Sequence, residues 1–152
     1  MMTEVMMTEE TIDILYNTCF GGWKPSEKAI ALYNARMKEI DAAFSPITGM
    51  EMSWYAQDRL KYRHDPILVK IYYELGHDFD EPRNPTKTSV QTIPAKYKNY
   101  YSIVDYDGHE DIEIDMTTYE FNEFKEKIAA LLKNSSSTDG EKIKYIQELL
   151  EE

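Results

Sequence analysis

The stretch YNTCFGGW, Tyr16 to Trp23, holds the residue types of this chain best suited to chemistry. It sets the only cysteine, Cys19, two residues before the pair Gly21-Gly22 and four before Trp23. A thiol becomes a nucleophile when a helix N-terminus lowers its pKa and a histidine stands beside it. His64 precedes a helix start and His109 follows a hairpin turn, so spacing brings neither to Cys19. A Cys-dependent hydrolase or transferase is therefore the lesser reading, and a packing role for a lone cysteine the commoner one. The glycine pair lies between a strand and a helix, where backbone amides and a helix N-terminus can hold an anion. A phosphate loop needs a set glycine spacing followed by Lys and Ser/Thr, and in GGWKPS both Lys24 and Ser26 stand out of register. The competing reading is a tight turn with Phe20 and Trp23 plugged into the core.

Arg63 and His64 stand just ahead of the Asp65-Pro66 helix start, where the helix dipole does not favour cations. They are expected either to pair with the outward carboxylates of the later hairpin or to receive an anionic ligand beside the glycine turn. The candidate binding surface is thus Asn17, Cys19, Gly21, Gly22, Trp23 and Lys24 of the turn, joined by Arg63 and His64. Tyrosine adds rigid amphipathic contact area, with 12 in 152 residues and clusters at YKNYY and IYY. The acidic run DYDGHEDIEID does not fit a calcium loop, because its glycine comes fourth and no glutamate stands twelfth from Asp105. On a strand those carboxylates alternate outward as a solvated face. Neither a metal nor a cofactor is expected.

These residues need elements to position them. TIDILYN alternates apolar Ile12 and Ile14 with polar Thr11 and Asp13 and reads as a strand. Ser26 can cap a helix to about Ile40 whose stripe is Ala29, Ile30, Tyr33, Met37 and Ile40. Residues 41–61 show no period and read as loop or short irregular pieces. Asp65 as N-cap, Pro66 at the first helical position and Gly76 past the end define a short buried helix. TKTSVQTI alternates as a strand. Asp107-Gly108 between two alternating runs signals a hairpin, since both central residues of its turn need positive φ. Thr117 with Glu120 makes a capping box for a helix to roughly Lys133 bearing Phe121, Phe124, Ile128 and Leu131 or Leu132. NSSSTDG reads as a flexible joint, and Thr138 with Glu141 as the capping box of a last helix striped by Ile143, Ile146, Leu149 and Leu150.

The resulting fold class is α+β, a small mostly antiparallel sheet with a DG hairpin packed against about four helices. Its organisation is a flexible leader at 1–10, one α+β domain at 11–133, and a linker with C-terminal helix at 134–152. Four exposed aliphatics on that last helix would be a sticky patch, so it is expected to fold back or to pair with another chain, a homodimer being favoured.

Composition narrows the partners. The net charge of −11, from 28 acidic against 17 basic residues, repels phosphate backbones and argues against generic nucleic-acid binding. No apolar run approaches the roughly 18 residues of a membrane span. A lone cysteine and the lack of a secretory pattern in MMTEVMMTEE point to the cytoplasm.

NTCFGGW, SEKAIALY, DPILVKIYYELG and IPAKYKNYYSIVDYDGHEDI together resemble an uncharacterised family of small proteins from tailed phages and giant double-stranded DNA viruses. The resemblance covers roughly residues 12–115, and its specific parts are the strand-turn-helix opening and the YDG hairpin. Family members often carry Phe at the position of Trp23 and a longer tail after the hairpin. The resemblance brings no catalytic residue. It implies a viral accessory protein in the host cytoplasm, a non-enzymatic binding module acting as a host-defence antagonist, with a host protein or a small anionic ligand as partner. The alternatives are a nucleotide-signal sponge, for which Arg63 and Lys24 are the nominated cations, and a virion component.

Overall fold

The computed structural model describes residues 9–53, 60–83, 86–133 and 139–150. It divides into two compact units, one ending at Ile114 and the other beginning at Asp115. The first unit holds strands β1 (Thr11–Asn17), β2 (Thr88–Pro94), β3 (Tyr101–Tyr106) and β4 (His109–Ile114), with helices α1 (Glu27–Ile40), α2 (Gly49–Met52) and α3 (Pro66–Leu75). The second holds α4 (Met116–Lys133) and α5 (Asp139–Leu150). The class is α+β, as expected. The strands do not join into one sheet, however: β1 pairs antiparallel with β2, and β3 with β4, as two separate ribbons. Among the described residues no helix is long and apolar enough to cross a membrane.

β1 is the central strand of the first unit because both of its faces are covered. Leu15 faces a core built with Ala29, Ile30 and Tyr33 of α1 and with Leu68, Val69 and Ile71 of α3. Ile14, pointing the other way, packs with Ile93, Tyr101 and Ile103 of the remaining strands. Both side chains are wholly buried. That double burial accounts for a pattern that alternates from Thr11 to Ile14 and then breaks it with Leu15.

The helices follow their signals closely. Ser26 Oγ accepts from the Ala29 amide and caps α1, whose stripe is buried at Ala29, Ile30 and Tyr33 and runs out to solvent at Ile40. Asp65 caps α3 through the Ile67 amide, Pro66 occupies the first turn, and Gly76 ends the helix at φ 58°. Within the segment read as irregular, Thr48 caps the single-turn α2, whose Met52 is buried in the core. Residues 54–59 lie outside the described residues.

Two expectations are corrected. α4 starts earlier than the Thr117–Glu120 box, because Asp115 accepts from both the amide and the hydroxyl of Thr118 and so takes the cap itself. The carboxylate is thereby held below its usual range, chiefly by the Thr118 hydroxyl. The division of the chain falls at 114/115, where the hairpin ends, not at the polar stretch near 134, so α4 groups with α5. The second capping box includes Thr138 and lies outside the described residues.

The DG turn forms as expected, with Asp107 at φ 52° and Gly108 at φ 90°. Gly108 has a further constraint: a Cβ there would meet the backbone of Gly21, 2.2 Å from its oxygen and 2.4 Å from its nitrogen. The hairpin turn and the glycine turn therefore touch backbone to backbone. Gly108→Ala is predicted to cost more than about 2 kcal/mol in urea unfolding, from the left-handed φ and the clash together. Asp107→Gly should change stability by less than about 1 kcal/mol.

The Tyr33 hydroxyl donates to Asp65 Oδ2 at 2.6 Å, tying α1 to the cap of α3. Burial first, and this bond to the carboxylate second, push the phenol well above its ordinary value. The folded protein thus holds that proton more tightly than the unfolded chain does. The stabilisation is complete below about pH 10 and is lost as pH rises beyond it. Burial also raises Tyr72 and Tyr73, with the same sign. Urea midpoints measured from pH 8 upward are predicted to fall in the alkaline limb, and less steeply in Tyr33→Phe.

Candidate functional site

β1 has two edges, and β2 covers only one. The Thr18 amide donates to the Lys87 carbonyl across that ladder. By alternation, the backbone groups of Leu15 and Asn17 point the other way, into the protein. Among the described residues no third strand is bonded there. Left unpaired, each buried donor or acceptor would cost about 1–3 kcal/mol.

Arg63 and Glu110 take those groups. Leu15 donates its amide to the Arg63 carbonyl at 2.7 Å, and the Leu15 carbonyl accepts from Arg63 Nη1 at 3.2 Å. The Asn17 amide donates to Glu110 Oε1 at 2.8 Å. Arg63 and Glu110 bind each other side-on, Nη1 to Oε1 at 2.6 Å and Nη2 to Oε2 at 2.9 Å, with both side chains 1% exposed. The guanidinium carbon lies over the Trp23 ring, 4.0 Å from its centroid. A planar, weakly hydrated cation suits this slot, whereas a lysine could make neither the fork nor the stack.

Trp23 is anchored in turn. Its indole donates to Thr88 Oγ1 at 3.1 Å, and the Thr88 hydroxyl and amide both donate to Asp80. Trp23 is 1% exposed, as one reading of the turn required, but Phe20 is 64% exposed and does not plug the core.

Asn17 fastens the two turns with one amide group. Its Nδ2 donates to the carbonyls of Gly21 and Gly108, each at 2.8 Å. Its Oδ1 accepts from the amides of Cys19 at 3.1 Å and Lys87 at 2.9 Å. Four bonds exhaust what an asparagine side chain offers in this setting.

The residues nominated from sequence therefore separate. Asn17, Gly21, Trp23 and Arg63 meet in the buried network. Lys24 lies on a separate cleft of about 350 Å³ with Ile30, Asn34 and Gly49. His64 lines another, of about 330 Å³, with Asp13, Val69, Lys70 and Tyr73, and its Nδ1 stands 2.5 Å from the Tyr101 hydroxyl. Cys19 and Gly22 are half-buried in the turn. Arg63 does pair with the hairpin, but with Glu110, the one carboxylate turned inward; Asp111 and Glu113 face solvent as expected. Glu110 was the residue missing from the sequence reading. Among the described residues, no three His, Cys, Asp or Glu side chains are grouped to hold a metal ion.

The outer side of the two turns has a different character. Tyr106, paired with His109 at the end of the hairpin, is 79% exposed, and Val104 beside it is also open. Phe20, next to Gly21, stands on the turn that meets this hairpin at Gly108. The hairpin from Tyr101 to Ile114 carries five carboxylates and neither Lys nor Arg. Comparison with protein-family models, with curated proteins and with solved structures gives no match.

Asn17→Ala is predicted to lower stability by about 3 kcal/mol or more, because four partly buried bonds lose their partner together. Asn17→Asp should be no better, since it puts an acceptor against the carbonyls of Gly21 and Gly108. Urea unfolding followed by tryptophan fluorescence measures both; an aspartate that restores stability would show that the two carbonyl bonds are unimportant.

Proposed function

We propose that the chain is a non-enzymatic binding module that engages a protein partner through the paired turns, with Phe20 and Tyr106 as its anchors. The observation that carries this reading is the contrast between the two sides of the turns. Inside, the polar groups are spent on one another, so Arg63 has no donor set aimed at a ligand: its guanidinium meets Glu110, Leu15 and the face of Trp23. Outside, two aromatic side chains stand exposed on backbone that Asn17 holds fixed.

Rigid exposed aromatics are what protein interfaces use as energetic centres, since little entropy is lost on docking. The carboxylates of the hairpin favour a partner surface bearing Arg or Lys, which would pair at the rim and stack on the rings. A host protein of that kind fits the antagonist role implied by the viral resemblance. The same geometry weighs against the nucleotide-sponge alternative, because one of its two nominated cations is closed off in the core. The Cys19 alternative gains nothing from the turn, whose Asn17 side chain takes the Cys19 amide and orients the backbone.

The test is site-specific photo-crosslinking in expressing cells, with a benzophenone amino acid at position 20, at position 106, or at the control position Glu39 on α1. A discrete adduct is expected from 20 and 106 but not from 39. It should survive Cys19→Ser, and probe at 20 should lose it when Tyr106 is Ala. One anchor is worth about 2 kcal/mol, or roughly thirtyfold in affinity. Absence of any adduct at both sites, or loss with Cys19→Ser alone, would overturn the reading.

A further inference from the structure

The second unit presents a different surface. α4 buries none of its residues completely: Phe121 and Leu132 are exposed, and Phe124, Ile128 and Leu131 are half-buried. Its apolar residues are spaced 3-4-3, Phe121, Phe124, Ile128 and Leu131, which is the a-d-a-d seam of a coiled coil. We propose that α4 is a self-association helix, through which two copies of this chain pair in parallel along that seam.

The flanking charges fix both the occupant and the direction. With Phe121 at position a, Glu120 falls at g and Lys125 and Leu132 fall at e, with Lys127 at the next g. In a parallel pair each g residue meets the e residue five positions on in the partner, so Glu120 lies against the partner's Lys125, twice by symmetry. An antiparallel pair aligned on the same four apolar residues would instead bring like charges together at its middle, Lys125 against the partner's Lys125 and Lys127 against the partner's Lys127. Lys125 already leans over the Phe121 ring, with Nζ 4.7 Å from its centroid, so its stem covers the seam and its charge stands at the flank.

α5 braces the end of the helix, where Lys142 Nζ donates to the Leu132 carbonyl at 3.2 Å.

Sedimentation equilibrium of the full chain over the micromolar range reads the proposal. A reversible monomer-dimer equilibrium is expected, abolished by Phe124→Glu or by Ile128→Lys with far-UV circular dichroism otherwise retained. Glu120→Lys should weaken the dimer about tenfold by turning two attractive pairs repulsive, and the double variant Glu120→Lys with Lys125→Glu should restore it. A full chain that stays monomeric would show that the seam is covered within its own chain or by another protein, and would overturn the proposal. A dimer that survives both seam variants, or one that the double charge exchange fails to restore, would do the same.

Discussion

The first unit depends on how the open edge of β1 is satisfied. A strand covered on both faces cannot leave its backbone to water, and β2 accounts for only half of its donors and acceptors. The missing strand is replaced by one ion pair: Arg63 supplies a carbonyl and a guanidinium, Glu110 a carboxylate, and together they bond the amide and carbonyl of Leu15 and the amide of Asn17. Burying such a pair in isolation is expensive, and its mutual attraction seldom gains much over apolar packing. Here every partner is also bonded to the backbone that needs it, and Trp23 closes the face of the cation.

That constraint explains why the two ribbons stay in register with each other although no ladder joins them. Glu110 belongs to β4 and Arg63 to the segment before α3, so the pair links the hairpin, the central strand and the helical layer at one point. Asn17 repeats the link a few residues on, through the glycine turn and the DG turn. The close approach of Gly21 and Gly108 leaves no room for a side chain between them. Phe20 and Tyr106 face outward from this joint, on turns that Asn17 bonds together, and that gives them their interest as contact residues.

Much of the fold was legible because local signals carried it. The caps at Ser26 and Asp65, the proline at the start of α3, the glycine after it and the DG turn are all determined within a few residues. The separation into two ribbons was not, since no local pattern says whether β1 bonds to the hairpin by backbone or by side chain. The N-terminus of α4 was misread because two acceptable caps stood close together, and the earlier one, Asp115, bonds Thr118 twice. The candidate site was half legible. Arg63 stood out as a cation that the helix dipole could not explain, and Glu110 shares its strand parity with Ile112 and Ile114, which places it on the inward face. Parity alone would have matched the inward carboxylate of the hairpin to the unexplained cation. What sequence could not reveal is that the match closes the site to ligands instead of opening it.

The most direct measurement is a double-mutant cycle on the pair, with Arg63→Met, Glu110→Leu and both together, read by urea unfolding. Each single change leaves a buried charge alone and is predicted to cost about 3–5 kcal/mol, with a coupling of about 2 kcal/mol or more. The double variant should remain less stable than the native protein, because apolar side chains leave the Leu15 carbonyl and the Asn17 amide without partners. A double variant as stable as the native chain, or single changes that simply add, would contradict the account, since either result would mean that the edge of β1 does not depend on Arg63 and Glu110.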